Sequence, residues 1–166
     1  MNINIRNWET SDAERLSKIA NNFAIAKWLT NKYPYPYSLD DAKSFIAFAT
    51  EAETPYVFAI TLEDEVIGAI GIHTQDDIWS KNAELGYWIA EDYWGQGIAT
   101  LAIKELVVYG FNHLNLNRIF ARPFGTNIGS RKALEKAGFR LEANLPKTIW
   151  KNDQWYDECI YAIRQY

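Results

Sequence analysis

The sequence is poor in sulfur and in imidazole: one cysteine, one methionine and two histidines in 166 residues. With Cys159 alone, no internal disulfide forms and no cysteine-rich zinc site can be built, so a reducing, cytoplasmic setting is expected. Long apolar runs are also missing. The longest stretch without Asp, Glu, Lys or Arg spans 106–117, well short of the ~20 residues of a membrane-spanning helix. The polar residues 1–9 hold no apolar signal core. Basic charge is not in excess, with 17 Lys and Arg against 21 Asp and Glu for a net charge of −4. That balance lacks the footprint of nucleic-acid capture and tolerates a cationic partner better than an anionic one. No linker, repeat or low-complexity tract divides the chain, so one domain over 1–166 is expected.

What is abundant is aromatic surface, with seven Trp, ten Tyr and eight Phe. The hydrophobic periodicity predicts the elements. Residues 2–8 alternate as a strand. Thr10 or Ser11 then caps a helix to about residue 20, with Glu14 as the capping-box partner. A short helix over 22–29 precedes KYPYPYS at 32–38, whose prolines demand a loop. Residues 39–51 form a helix with Ala42, Phe45, Ile46 and Ala49 on one face. Strands at 56–62 and 66–73 make a hairpin around Glu63-Asp64, and a third strand runs over 83–90. The helix over 98–112 has Lys104 and Glu105 as its only charges, which predicts burial nearly all round. A strand at 118–122 leads to a helix over 127–137, N-capped by Asn127 and stopped by Gly138. Strands at 139–150 and 155–163 meet at Asn152-Asp153. The order predicts a mixed α/β domain, largely antiparallel, with helices on both faces of its sheet.

The richest chemistry lies at 83–101, AELGYWIAEDYWGQGIATL. A strand enters a turn with Gly95 and Gly97 and leaves as an apolar helix. Backbone N–H groups at such a helix start favour an anion, and the glycines let a phosphate approach. The nucleotide motifs fit poorly: no lysine follows Gly97 as a P-loop requires, and the next strand offers Arg122 rather than an acid. A lone Gly-x-Gly is also what a tight turn needs when nothing binds.

The segment Trp94-Gly95-Gln96-Gly97-Ile98-Ala99 resembles motif A of the GNAT superfamily of acyl-CoA N-acyltransferases, Arg/Gln-x-x-Gly-x-Gly/Ala. It departs at the first position, where Trp94 removes one conventional polar contact. The phrase GYWIAEDYWGQGIAT is similar to the RimJ/RimL-like branch. Thr126-Asn127-Ile128-Gly129-Ser130 followed by Leu134-Glu135-Lys136-Ala137-Gly138-Phe139 resembles that branch's motif B, and Trp155-Tyr156-Asp157 and the Tyr35-Pro36 loop fit too. The likeness covers essentially 3–163. It implies a fold with splayed central strands and acetyl-CoA as cosubstrate. It also implies an amine acceptor, no metal, and a possible homodimer.

The resemblance assigns the CoA pyrophosphate to the backbone of Gln96, Gly97, Ile98, Ala99 and Thr100. The pantetheine arm falls to Trp88, Ile89 and Ala90, as an added strand, and an N–H near Ile89 suits the thioester oxygen. Asn127 and Ser130 are further CoA contacts. Amine attack needs a base, because roughly 10% of an α-amine and about 0.04% of a lysine amine are neutral at pH 7. Glu84, on the core strand, is the expected base, with Glu142 as second candidate, and Ser130 is the expected acid for the leaving thiolate. His73 and His113 lack ligand spacing, and Cys159 lacks a nearby histidine, so none of them is assigned to chemistry. Trp28, Tyr33, Tyr35, Tyr37, Trp150 and Trp155 are expected to wall the acceptor site. The acceptor is a protein N-terminus or a small amine, polyamines and antibiotics included; a non-catalytic CoA-binding module is the rival reading.

Overall fold

Alternation and turn chemistry explain the strands. The computed structural model describes residues 1–51 and 56–165. Among the described residues seven strands occur: β1 (Ile3–Arg6), β2 (Tyr56–Leu62), β3 (Glu65–Thr74), β4 (Asn82–Ile89), β5 (Arg118–Ala121), β6 (Arg140–Lys151) and β7 (Gln154–Arg164). The helices are α1 (Ala13–Ala20), α2 (Phe23–Ala26), α3 (Leu39–Ala49), α4 (Ile98–His113) and α5 (Ile128–Lys136). The strands form one sheet in the order β1-β2-β3-β4-β5-β7-β6. Both tight hairpins use paired left-handed residues, Glu63 and Asp64 at φ 50° and 67°, and Asn152 and Asp153 at φ 52° and 58°. That geometry matches the strands' own twist. The β4–β5 pair is parallel, and α4 is its crossover. Its register runs from Asn82↔Arg118 to Glu84↔Phe120, while β4 continues to Ile89.

The chain divides into two compact units, Met1–Gly71 with Tyr87–Ala102, and Ile72–Gly86 with Ile103–Tyr166. In the first, Trp8, Leu16, Ala20, Tyr37, Ile46 and Ala59 share one core. Its helical entry differs from the expected cap. Residues Thr10–Asp12 make a 3-10 turn, and Asp12 accepts the Glu9 N–H at 2.9 Å and two Arg6 N–H bonds at 2.8 and 2.9 Å. Burial pushes the Asp12 carboxyl up, but these bonds outweigh it and hold it below the usual range. Asp12, not Thr10 or Ser11, thus anchors the turn, because its charge has both a cation and an N–H to meet. Asn22 and Ser38 cap α2 and α3, accepting from Ala24 N–H and Asp41 N–H.

In the second unit Gly110 of α4 lies so close to the sheet that a Cβ there would stand 2.9 Å from Ile119 and 3.0 Å from Ile72. Ile72 and Ile119 therefore mark the sheet face that α4 covers. Asn127 caps α5 by accepting the Ser130 N–H at 3.3 Å. The far end is a Schellman motif: Phe139 N–H donates to Leu134 O and Gly138 N–H to Glu135 O, both at 3.0 Å, with Gly138 at φ 100°. One expectation fails. Helix α4 buries a single stripe through Ile98, Ala102, Ile103, Leu106 and Val107, while Leu101 and Val108 are 49% and 58% exposed. Its low charge reflects an apolar outer face rather than all-round burial.

Leu16 is fully buried in the first core. Leu16→Ala should lower unfolding stability by about 3 kcal/mol through lost transfer energy and a residual cavity, measurable by urea denaturation.

Candidate active site

The turn after β4 is built by backbone constraint. Ala90 N–H donates to Ile67 O at 2.7 Å, a 3-10 turn spans Glu91–Tyr93, and Gly95 and Gly97 sit at φ 74° and 78°. No atom lies within 4 Å of a Cβ placed on either glycine, so the left-handed backbone is what calls for glycine there. Gly97 O accepts Leu101 N–H at 3.2 Å, which makes Gly97 the residue before the first helical turn. Ile98, Ala99 and Thr100 then present N–H groups that have no partner within the helix. The Ile98 side chain is buried, so this residue offers only its backbone.

Trp94, the position that departs from motif A, has a definite structural role. Its indole N–H donates to Ile89 O at 2.7 Å while the ring stays half-exposed. The tryptophan clasps the turn onto the end of β4. Trp88, on the same strand, packs edge-on against Tyr33 at 6.0 Å.

Glu84 pairs in register with Phe120. Ala83, beside it, is in register with Ile119 on the α4 face, so Glu84 points to the opposite face. Its side chain is 33% exposed, and its Oε1 lies 3.9 Å from Arg122 Nε. That same Nε is hydrogen-bonded to Glu158 Oε1. Glu158 is 3% exposed, a buried acid that sequence reading missed. The Glu158 bond, aided by its charge and that of Glu84, raises the Arg122 pKa against burial. Gln75 N–H donates to Asn82 O, which sets a register placing His73 opposite Glu84. His73, set aside in the sequence, is thus a cross-strand neighbour of the candidate base.

Glu142 is corrected. Its Oε1 accepts from Arg118 Nη2 at 2.7 Å and Nε at 3.1 Å, and its Oε2 from Arg164 Nε at 2.9 Å. The Arg118 bonds, with help from Arg164, hold its carboxyl below the usual range despite burial. A carboxylate clamped by two guanidiniums is a poor proton acceptor, so Glu142 ties strands together instead.

Asn127 and Ser130 come together at the start of α5, within the cap itself. A pocket of about 310 Å³ adjoins them, lined by Thr126, Arg131, Asn144, Trp155 and Asp157 among others. Arg131 is braced by Tyr161 OH at 3.0 Å and Gly125 O at 2.9 Å.

The aromatic wall is also revised. Tyr37 is core, its phenol pushed up to about 12 by burial and by Asp41, and Tyr33 is held by a 2.7 Å bond to Ala20 O. Tyr35, Trp150 and Trp155 remain exposed, the last two packed at 4.9 Å. Trp28 lies under the Lys27 ammonium. Cys159 is buried, and His113 stacks on Tyr109 at 5.0 Å. Among the described residues no group of three His, Cys, Asp or Glu could hold a metal, and no helix is long and apolar enough to cross a membrane.

Residues 2–140 match the acetyltransferase (GNAT) domain family. The chain belongs to the GNAT acetyltransferases. The N-acetyltransferase YdaF of Bacillus subtilis (strain 168) is 33% identical over 167 residues, 97% of this GNAT chain and 90% of that protein. The ribosomal-protein-serine acetyltransferase of Escherichia coli (strain K12) is 33% identical over 106 residues, 64% of this chain and 59% of that one. The solved Mycobacterium smegmatis RimJ, in complex with CoA-disulfide, superposes with a TM-score of 0.85 at 27% identity, covering 98% of this chain and 81% of that one. This GNAT protein is therefore an N-acetyltransferase of RimJ/RimL type that uses acetyl-CoA, and the rival reading of a non-catalytic module is set aside.

The clamp on Glu142 gives a pH signature. A carboxyl whose folded pKa is depressed adds stability above its unfolded value and loses it as pH falls through the folded value. Glu142→Gln should therefore be less stable than wild type at neutral pH, and the two urea midpoints should converge below about pH 4.

Proposed function

We propose that the protein acetylates the α-amine at a protein N-terminus by direct attack on acetyl-CoA, with residues 1–166 acting as a single catalytic domain. The observation that carries the CoA reading is the Gly95–Gly97 turn, whose left-handed backbone leads into the free N–H groups of Ile98, Ala99 and Thr100. With Gln96 and Gly97, these N–H groups hold the pyrophosphate, where the helix dipole adds to their attraction. Trp88, Ile89 and Ala90 flank the pantetheine arm, with the Ile89 N–H as the donor because Ala90 N–H is taken by Ile67 O and Ile89 O by the Trp94 indole, and Asn127 and Ser130 contact the CoA from α5.

Glu84 removes a proton from the acceptor ammonium. The freed lone pair attacks the thioester carbonyl, the N–C bond forms and the C–S bond breaks. Ser130 protonates the leaving thiolate and regains its proton from the nitrogen, which sheds its second proton as the amide forms. The half-exposed position of Glu84 supports this role, since a base must reach both amine and solvent. An α-amine is favoured over a lysine amine because far more of it is neutral near pH 7. The likeness to a ribosomal-protein-serine acetyltransferase supports the same acceptor class.

Two variants separate binding from chemistry. Gly97→Ala should weaken CoA binding by about tenfold, the equivalent of about 1.4 kcal/mol of lost cradle geometry, as read by calorimetry. Glu84→Gln should bind CoA normally yet lose about 100-fold in kcat, measured by thiol release with peptides bearing free N-termini. Retained turnover in Glu84→Gln would remove Glu84 from the mechanism.

A further inference from the structure

Glu158 has no part in the scheme above, yet it is the most deeply buried acid on β7 and its partner is Arg122. A buried carboxylate is retained only where a cation or donors meet it. Register explains the pairing. Ala121↔Tyr161 and the Phe124↔Glu158 bridge put Arg122 opposite Ile160, so Arg122 and Glu158 are diagonal neighbours on one sheet face. Glu84 and Phe120 are on that face as well. One guanidinium thus stands between two carboxylates, bonded to the buried one and 3.9 Å from the other.

We propose that Glu158 is a positioning residue that holds Arg122 back from Glu84, leaving Glu84 able to take the proton of a cationic acceptor amine. The inference rests on Glu84 being the base. Arg122 is 52% exposed on its side chain, and the remaining gap to Glu84 is short. Without Glu158, the guanidinium closes on Glu84 as a charge-assisted pair and occupies the oxygens that a base must present. With Glu158 in place, the three groups carry a net charge of one negative unit, available to an ammonium. The charged and titratable groups that face Glu84 are His73 from β3, Arg118 and Arg122 from β5, and Glu158 from β7.

The test is a side-chain carbon NMR titration of Glu84, assigned by Glu84→Gln and run in a His73→Gln background to remove the imidazole. Glu158→Gln should lower the Glu84 midpoint by about one unit, the effect of an arginine closing on a carboxylate. Adding Glu158→Gln to Arg122→Gln should leave the midpoint where Arg122→Gln alone puts it, because Glu158 then has no guanidinium to hold, whereas loss of the Glu158 charge by itself would lower the midpoint with or without Arg122. The acidic limb of the kcat profile, measured with peptides bearing free N-termini, should move in step. An unmoved or raised midpoint in Glu158→Gln, or an equal fall when Glu158→Gln is added to Arg122→Gln, overturns the proposal. Thermal melts by circular dichroism check the fold. If Glu158→Gln does not fold, Arg122→Gln alone should raise the midpoint, and an unmoved value there overturns it equally. Unchanged turnover in Glu84→Gln would instead defeat the underlying reading of the base, so the two failures are told apart.

Discussion

Two parallel strands cannot be joined by a tight turn, and this constraint organises the site. Strand β4 must leave the sheet through a crossover helix before β5 can return beside it. The chain makes that departure in the few residues between Ile89 and Ile98, and it does so with Gly95 and Gly97 in the left-handed region. The same geometry that lets the strand become a helix leaves the first N–H groups of α4 without partners. The N–H groups proposed to hold the CoA pyrophosphate are therefore a by-product of topology. Trp94 completes the turn by tying it to Ile89, which explains how a tryptophan can stand where relatives of the motif carry a polar side chain.

Charge is the second organising element, and it is distributed by sheet register. On one face, Arg118 and Arg164 converge on Glu142, while Arg122 is divided between Glu158 and Glu84. The two clusters look alike in the sequence, as acids and arginines scattered along strands. They differ in how their carboxylates are occupied. Glu142 is fully engaged by two cations. Glu84 shares one cation with a better-placed rival. That contrast, rather than the mere presence of an acid on a strand, separates a structural glutamate from a candidate base.

Much of the fold was legible because its signals are local. Alternation marked the strands, Asn127 and Gly138 bounded α5, and Glu63-Asp64 and Asn152-Asp153 marked hairpins that need left-handed residues. The Gly95–Gly97 turn was legible for the same reason. Contacts set by register were not. Arg122 and Glu158 lie 36 positions apart and meet only as diagonal neighbours across β7. His73 faces Glu84 only through the antiparallel pairing of β3 with β4. The cap at Asp12 was missed because its partner, Arg6, lies on the preceding strand. Tyr37 was read as a loop residue lining a site, whereas the loop folds its ring into the core.

The outermost strand, β6, carries exposed Leu141, Leu145 and Trp150 along an edge that has a partner on one side in the sheet order. A long apolar edge of this kind is a template onto which another chain's strand can add. Its register with β7, however, shifts between Leu141 and Ala143 and again between Leu145 and Ile149, where Pro146 removes a donor and Lys147 turns to φ 47°. The edge is thereby cut into short pieces, none of which presents a continuous ladder of donors and acceptors. The irregularities of β6 act as a guard against runaway strand addition, allowing the protein to keep a sticky surface without becoming a seed for aggregation.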